Sequence, residues 1–243
     1  MTEGQPTRPA NILQIVAINQ GHAPLTMGEP TAPALPADQL AELLEAGHVV
    51  IDTRVPAHFG GGHVPGAYSI KLASPEFEQR VGWVAPPEVP VLLVLDDDDA
   101  LRTALHKLAF VGLDNRVQGY LSGGMDAWSA AGRPQETLAQ MSVNELQRAL
   151  AQGNGMRVLD VREPDEWNDG HVQGAASMSF KVLEQHLADI GIETDEQVAV
   201  MCAGGIRSST ACSILLRNGY RRVHNVTGGM SAWKAAELPT VTD

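Results

Sequence analysis

Cysteine is scarce in this sequence: 243 residues hold two, Cys202 and Cys212. They lie in what reads as one loop and its following helix, and they are too few for a disulfide framework or a cysteine-rich zinc site. No His-x-His or Cys-x-x-Cys pair occurs, so neither a metal nor another cofactor is expected. Basic residues are also in deficit, with 17 Lys and Arg against 29 Asp and Glu and a net charge of −12. Binding a phosphate backbone needs a concentrated basic patch. A nucleic-acid partner is therefore disfavoured, and any anionic substrate must be held locally. No apolar run approaches the ~18 to 20 residues of a membrane span, and the opening Met1-Thr2-Glu3-Gly4-Gln5-Pro6 has neither a basic nor an apolar leader segment. A cytoplasmic protein without a membrane partner is expected.

What is present is an internal repeat. The first copy reads Asp52-Thr53-Arg54, then Gly62-His63-Val64-Pro65-Gly66-Ala67, then Gly123-Gly124-Met125-Asp126-Ala127-Trp128. The second reads Asp160-Val161-Arg162, then Gly170-His171-Val172-Gln173-Gly174-Ala175, then Gly228-Gly229-Met230-Ser231-Ala232-Trp233. The aspartate and the first motif glycine are ten positions apart in both copies, which marks two homologous halves. A boundary falls near Gly132-Arg133-Pro134, followed by a helix start at Ser142 with Glu145 three residues on, the spacing of a capping box. The expected division is an extended, Pro-containing lead-in over 1–34, one domain over 35–133 and a second over 134–243.

Each half alternates helices with short apolar runs. The helices are Leu40–Ala46 and Leu101–Val111 in the first copy, Val143–Ala151 and Ser208–Asn218 in the second. The apolar runs are Val49–Ile51 and Val91–Leu95, then Val158–Leu159 and Val198–Met201. A short third strand leads into each Gly-Gly-Met. Such a pattern indicates an α/β fold with a mainly parallel, buried sheet flanked by helices. Ligands of such sheets sit beyond the carboxyl ends of the strands. Cys202 stands there, first in the turn after Val198–Met201.

The turn continues Ala203-Gly204-Gly205-Ile206-Arg207-Ser208 into a helix with a C-terminal glycine, Gly219. Gly204 and Gly205 allow the backbone to curl so that N–H groups point inward and form an anion nest at the helix start. The same groups, helped by Arg207, favour a thiolate at Cys202 and make it nucleophilic.

With these motifs in order, both halves resemble rhodanese domains, the thiosulfate or persulfide sulfurtransferases, over roughly residues 35 to 240. The resemblance implies that Cys202 accepts a sulfane sulfur from a small donor, becomes a persulfide, and passes the sulfur to a thiol or cyanide. It also implies that the backbone of Ala203, Gly204, Gly205, Ile206 and Ser208 cradles the sulfur and that Arg207 steadies a sulfonate or sulfite. A phosphatase on the same fold has one more residue between its cysteine and arginine than the four between Cys202 and Arg207, so phosphatase activity is the lesser reading. A sulfur-carrier or interaction module fed by a persulfide-producing partner is the other alternative.

The first half departs from the pattern. Its turn reads Leu95-Asp96-Asp97-Asp98-Asp99-Ala100, with the cysteine's counterpart at about Asp96, so it is expected to be a non-catalytic partner domain that shapes the entrance to the second domain's pocket. The acidic run is expected to be a solvated turn rather than a cation site. Cys212 has Leu215 and Leu216 at i+3 and i+4 and reads as packing. Asp160 with Arg162, and Asp52 with Arg54, read as structural pairs. His63 and His171 read as structural, because the half without cysteine keeps its histidine. Glu166 and Trp167 are candidate pocket-lining residues. Finally, the segment Arg8–Gly21 is similar to the stretch joining a metallo-β-lactamase-like persulfide dioxygenase to rhodanese domains in fusion proteins, which implies a persulfide dioxygenase partner.

Overall fold

The computed structural model describes residues 8–22, 26 and 28–242. In chain order the elements are α1 (Ile12–Asn19), β1 (Ala34–Leu35), α2 (Ala37–Glu45), β2 (Val49–Asp52), α3 (Pro56–Gly61), β3 (Tyr68–Ser69), α4 (Phe77–Val84), β4 (Val91–Val94), α5 (Ala100–Ala109), β5 (Val117–Leu121) and α6 (Gly124–Ala130). The repeat then gives β6 (Ala139–Ser142), α7 (Val143–Ala151), β7 (Arg157–Asp160), α8 (Pro164–Asn168), β8 (Ala176–Ser177), β9 (Gln197–Met201), α9 (Ile206–Arg217), β10 (Arg222–Thr227) and α10 (Gly229–Ala235). Two compact units result, one from Met1–Val55 and His63–Glu136, the other from Pro56–Gly62 and Thr137–Asp243. α3, which lies in the first copy of the repeat, thus groups with the second unit.

Each unit carries a five-stranded sheet, ordered β1-β5-β4-β2-β3 in the first and β6-β10-β9-β7-β8 in the second. Every strand pairing in both is parallel. The expected α/β class with parallel sheets and flanking helices is the observed one. The apolar runs follow from the layering, because a parallel strand covered by helices on both faces has no solvated side to leave polar. Val91–Val94 is buried throughout, and so is Val198–Met201. In the second unit Val143, Leu146, Val158, Met201, Val226 and Trp233 belong to one buried cluster, each large side chain contributing about 1.5–3 kcal/mol by leaving water.

The local signals act as their chemistry requires. Ser142 Oγ accepts the Glu145 N–H while the Glu145 carboxylate accepts the Ser142 N–H, closing the capping box at the start of α7. Gly219, at φ +86°, ends α9 with Tyr220 N–H donating to Leu215 O and Gly219 N–H to Leu216 O, the paired bonds of a Schellman motif. One expectation is corrected: the lead-in is not extended throughout, because Ile12–Asn19 forms α1. This stretch has no Pro or Gly to interrupt it, and it is anchored on the first unit by Ala10 N–H to Gly82 O (3.1 Å) and Asn11 Nδ2 to Val111 O (2.9 Å). Those contacts supply the tertiary support that an isolated short helix lacks. Among the described residues no helix is long and apolar enough to cross a membrane.

Candidate active site

In an all-parallel sheet the carboxyl ends of the strands share one edge, and Cys202 is the first residue beyond central strand β9 on that edge. α9 begins at Ile206, so Ala203, Gly204 and Gly205 make the turn. Gly205 carries the reversal, with φ +93° and space for a Cβ only 3.3 Å from the Gly228 nitrogen. Gly204 has open space around it and no left-handed φ, so of the two glycines expected to shape the curl only Gly205 is required.

The Cys202 side chain is buried, 1% exposed. Its sulfur accepts the Gly205 N–H at 3.1 Å and lies 3.4 Å from Ser208 Oγ. The Ser208 hydroxyl donates to Asn225 Oδ1 at 2.6 Å, and Asn225 Nδ2 donates to Gln140 Oε1 at 2.9 Å and to Gly205 O at 3.3 Å. Ser208, expected to act through its backbone, therefore meets the sulfur with its side chain. Asn225 on β10 and Gln140 on β6 are site residues that the sequence reading missed. A signal existed, because β10 carries Asn225 where the first copy has Tyr120, counted back from each Gly-Gly pair, and that substitution accompanies the loss of the cysteine.

The Gly-Gly-Met motif now has a physical role. Gly228 and Gly229 have φ +76° and +50°, and a Cβ on Gly229 would lie 2.1 Å from Cys202 O. This approach lets the first turn of α10 grip the cysteine loop, with Met230 N–H donating to Cys202 O (2.8 Å) and Ser231 N–H to Ala203 O (3.0 Å). The backbone of Cys202 is thereby fixed between two helix starts.

Arg207 forms a two-pronged ion pair with Glu166, Nη1 to Oε2 at 2.6 Å and Nη2 to Oε1 at 2.7 Å. The hydrogen bond from Arg207 holds the Glu166 carboxyl below the ordinary glutamate range, and the same bond raises Arg207 above the usual arginine range. A carboxyl lowered by folding stabilises above its unfolded titration range and loses that contribution as pH falls through the folded value. The pair is therefore intact at neutral pH and breaks on acidification.

Glu166 is set in place by α8, whose position depends on Arg162. Arg162, 4% exposed, bonds the Asp160 carboxylate through Nε and Nη2 at 2.6–2.9 Å and donates to Glu166 O (2.7 Å) and Gly170 O (2.9 Å). The Asp-x-Arg motif is thus the structural pair expected of it. His171 stacks on Trp167 with ring centroids 3.4 Å apart and exchanges backbone hydrogen bonds with Val241, in keeping with its structural reading. Trp167 accordingly packs on histidine, while Glu166 lines a cleft of about 210 Å³ together with Asp169, Ala203, Ser231 and Lys234. Cys212 is fully buried, and burial pushes its thiol well up, consistent with packing rather than redox work.

The first unit narrows the counterpart of Cys202. Asp160 is in register with Met201 and Asp52 with Val94, so Cys202 corresponds to Leu95, one residue before Asp96 and within the one-residue range expected. Leu95 is buried and has no reactive group. The turn after it holds one residue more, Asp96 to Asp99, and the Asp97 carboxylate accepts the Ala100 N–H at 2.9 Å. A side chain of the protein thus meets the helix start where, in the second unit, the Gly205 N–H meets the Cys202 sulfur. Among the described residues no three His, Cys, Asp or Glu side chains gather as a metal site, and the acidic turn is exposed.

Residues 36–131 and again 142–236 match the family of rhodanese-like domains. The chain belongs to that family. Its relatives include a protein named sulfurtransferase from Allochromatium vinosum, 30% identical over 102 residues, which are 42% of this chain and 94% of that one. The thiosulfate sulfurtransferase GlpE of Shewanella oneidensis is 29% identical over 96 residues, 40% of this chain and 92% of GlpE. YqhL of Bacillus subtilis is 35% identical over 77 residues, 32% of this chain and 60% of YqhL. Among solved structures, a rhodanese-related protein from Thermoplasma volcanium matches 43% of this chain and 99% of its own at 28% identity, with a TM-score of 0.40. The polysulfide-sulfur transferase homodimer from Wolinella succinogenes matches 44% of this chain and 80% of its own at 28% identity, with a TM-score of 0.39.

Within the second rhodanese-like domain, Asp160→Ala strands the buried Arg162 cation and is expected to destabilise the domain by about 3–5 kcal/mol. Chemical denaturation followed by Trp fluorescence measures this, and a loss under about 1 kcal/mol would show the pair to be no better than a surface salt bridge.

Proposed function

We infer that the chain is a rhodanese-type sulfurtransferase whose Cys202 alternates between thiolate and persulfide. The observation that carries this reading is the cysteine sulfur at the end of the central strand, accepting the Gly205 N–H while both flanking helices hold its loop. In the first step the Cys202 thiolate attacks the outer sulfur of a small donor, thiosulfate or a persulfide. The donor's S–S bond breaks, and sulfite or a thiolate leaves with the electron pair. In the second step a thiolate or cyanide attacks the outer sulfur of the Cys202 persulfide, that S–S bond breaks, and the Cys202 thiolate returns.

Both steps are displacements at sulfur, so the protein supplies position and charge rather than a cofactor. The first N–H groups of a helix have no acceptor within it, and those of Ile206, Arg207 and Ser208 stand beside the turn where the outer sulfur of a persulfide would lie. Ser208 supports the cycle from the other side, because its hydroxyl can turn from Asn225 to the sulfur when the thiolate forms. Relatives named as sulfurtransferases favour the same reading. The likeness of Arg8–Gly21 to a linker after persulfide dioxygenases favours a persulfide made by such a partner as the physiological donor.

Steady-state kinetics with varied thiosulfate or low-molecular-weight persulfide and varied cyanide test the proposal. Saturation by donor and parallel double-reciprocal lines are expected, since a covalent intermediate separates the two substrates. Rates that stay linear in every small donor would instead favour a carrier that is loaded by a protein partner.

A further inference from the structure

The charge of the donor is written into the surroundings of Arg207. A dianion such as thiosulfate, which departs as sulfite, needs a surplus of positive charge at the mouth of the site. Arg207 is the cation on the first turn of α9, yet both its terminal nitrogens are held by Glu166, in the forked geometry that an oxyanion would otherwise use. Glu166 is not free to swing aside. Its Oε2 also accepts the Glu163 N–H at 3.2 Å, and Arg162 holds the backbone of α8 from below. Around the cleft Arg162 is met by Asp160, and Lys234 lines the cleft beside Asp169, donating to its backbone carbonyl oxygen at 3.4 Å. The cation that a sulfonate would seek is thus already neutralised by the protein.

The geometry points to Glu166 as the residue that selects the donor by charge, turning the Cys202 site away from thiosulfate and towards organic persulfides whose leaving group is an uncharged or cationic thiol. This rests on the sulfurtransferase reading above and names its substrate class. In the favoured step the Cys202 thiolate bonds to the outer sulfur of the persulfide R–S–SH and the donor's S–S bond breaks. The electron pair leaves on the inner sulfur, and the donor's own proton ends on that sulfur to give the free thiol. The Cys202 persulfide remains as the anion in the N–H cradle. Glu166 acts through Arg207 and is a positioning residue, not a catalytic one.

The test compares single-turnover loading by thiosulfate (a dianion), methanethiosulfonate (a monoanion) and cysteamine persulfide (cationic at its amine), with intact mass as the independent measure of sulfur gained. Glu166→Gln keeps an acceptor for the Glu163 N–H and removes the charge; Glu166→Ala removes both. Both variants are expected to raise the loading rate with thiosulfate relative to cysteamine persulfide by about tenfold, an effect that shrinks as salt is raised from about 0.05 to 0.5 M. Methanethiosulfonate should fall between. A donor ratio unchanged in both variants, whatever happens to the absolute rates, overturns the assignment, because a merely structural Glu166 would slow all three donors alike. A wild-type protein that none of the three loads overturns the sulfurtransferase reading itself, an outcome that the mass measurement separates from a failure of charge selection.

Discussion

Cys202→Ser is expected to lower sulfur transfer by on the order of 10⁴-fold or more, to the uncatalysed background, while leaving the fold in place. A serine oxygen at this position can still accept the Gly205 N–H and meet Ser208 Oγ, so stability should change by no more than about 1 kcal/mol. What is lost is chemical: an alkoxide is not accessible at neutral pH, and oxygen does not form the persulfide that links the two half-reactions. Cys212→Ala is the converse control. Removing that fully buried thiol from α9 should cost about 1–2 kcal/mol through the cavity it leaves and keep transfer. Thiocyanate formation from thiosulfate and cyanide, read beside a thermal melt, separates the two variants. Transfer that survived in Cys202→Ser and vanished in Cys212→Ala would assign the nucleophile to the helix rather than to the loop.

Gly229→Ala should be nearly as damaging to activity without touching any reacting atom. Its new methyl would sit 2.1 Å from Cys202 O and 2.8 Å from the Ala203 carbonyl carbon and oxygen, on a residue whose φ is +50°. All three are backbone atoms with no flexible end to move aside. α10 would have to withdraw, giving up the bonds from Met230 to Cys202 O and from Ser231 to Ala203 O. Shifts of about 1 Å at a reacting group cost on the order of 10²-fold in rate, and strain of this kind costs about 1–3 kcal/mol. Both are expected here, read as kcat and as the unfolding midpoint. Gly204→Ala supplies the comparison for stability, since a Cβ there meets nothing within 4 Å, and its unfolding midpoint should stay near that of the wild type. Equal stability losses in the two variants would mean that the close approach of α10 is not what holds the loop.

Much of this was legible because the signals are local or repeated. The alternation of apolar runs with amphipathic helices fixed the parallel sheets, since each strand had to be apolar on both faces. The Ser142-x-x-Glu145 spacing and Gly219 marked helix ends because capping depends on neighbours in sequence. Cys202 stood out as the first residue of a glycine turn after a buried strand. Other features needed three dimensions. Leu95 could be matched to Cys202 only through strand register, since the first copy's turn is one residue longer and counting from the acidic run lands one position late. Arg207 and Glu166 are 41 residues apart, and Asn225 reaches Gln140 across 85, so neither pair leaves a periodic trace. Gly229 was visible as part of a motif, but its reason lies in a carbonyl 27 positions away in sequence. α1 was misread because the prolines on either side of it say nothing about the uninterrupted stretch between them.

Intact mass is the most direct measurement of the central claim. The reduced wild-type protein would be incubated with thiosulfate and, separately, with cysteamine persulfide, then desalted and weighed before and after cyanide, with Cys202→Ser carried in parallel. A gain of one sulfur in the wild type, removed by cyanide and missing from the variant, is the expected result with at least one donor. A wild-type mass unchanged by both donors, or a gain that persists in Cys202→Ser, would contradict the assignment of Cys202 as the sulfur carrier.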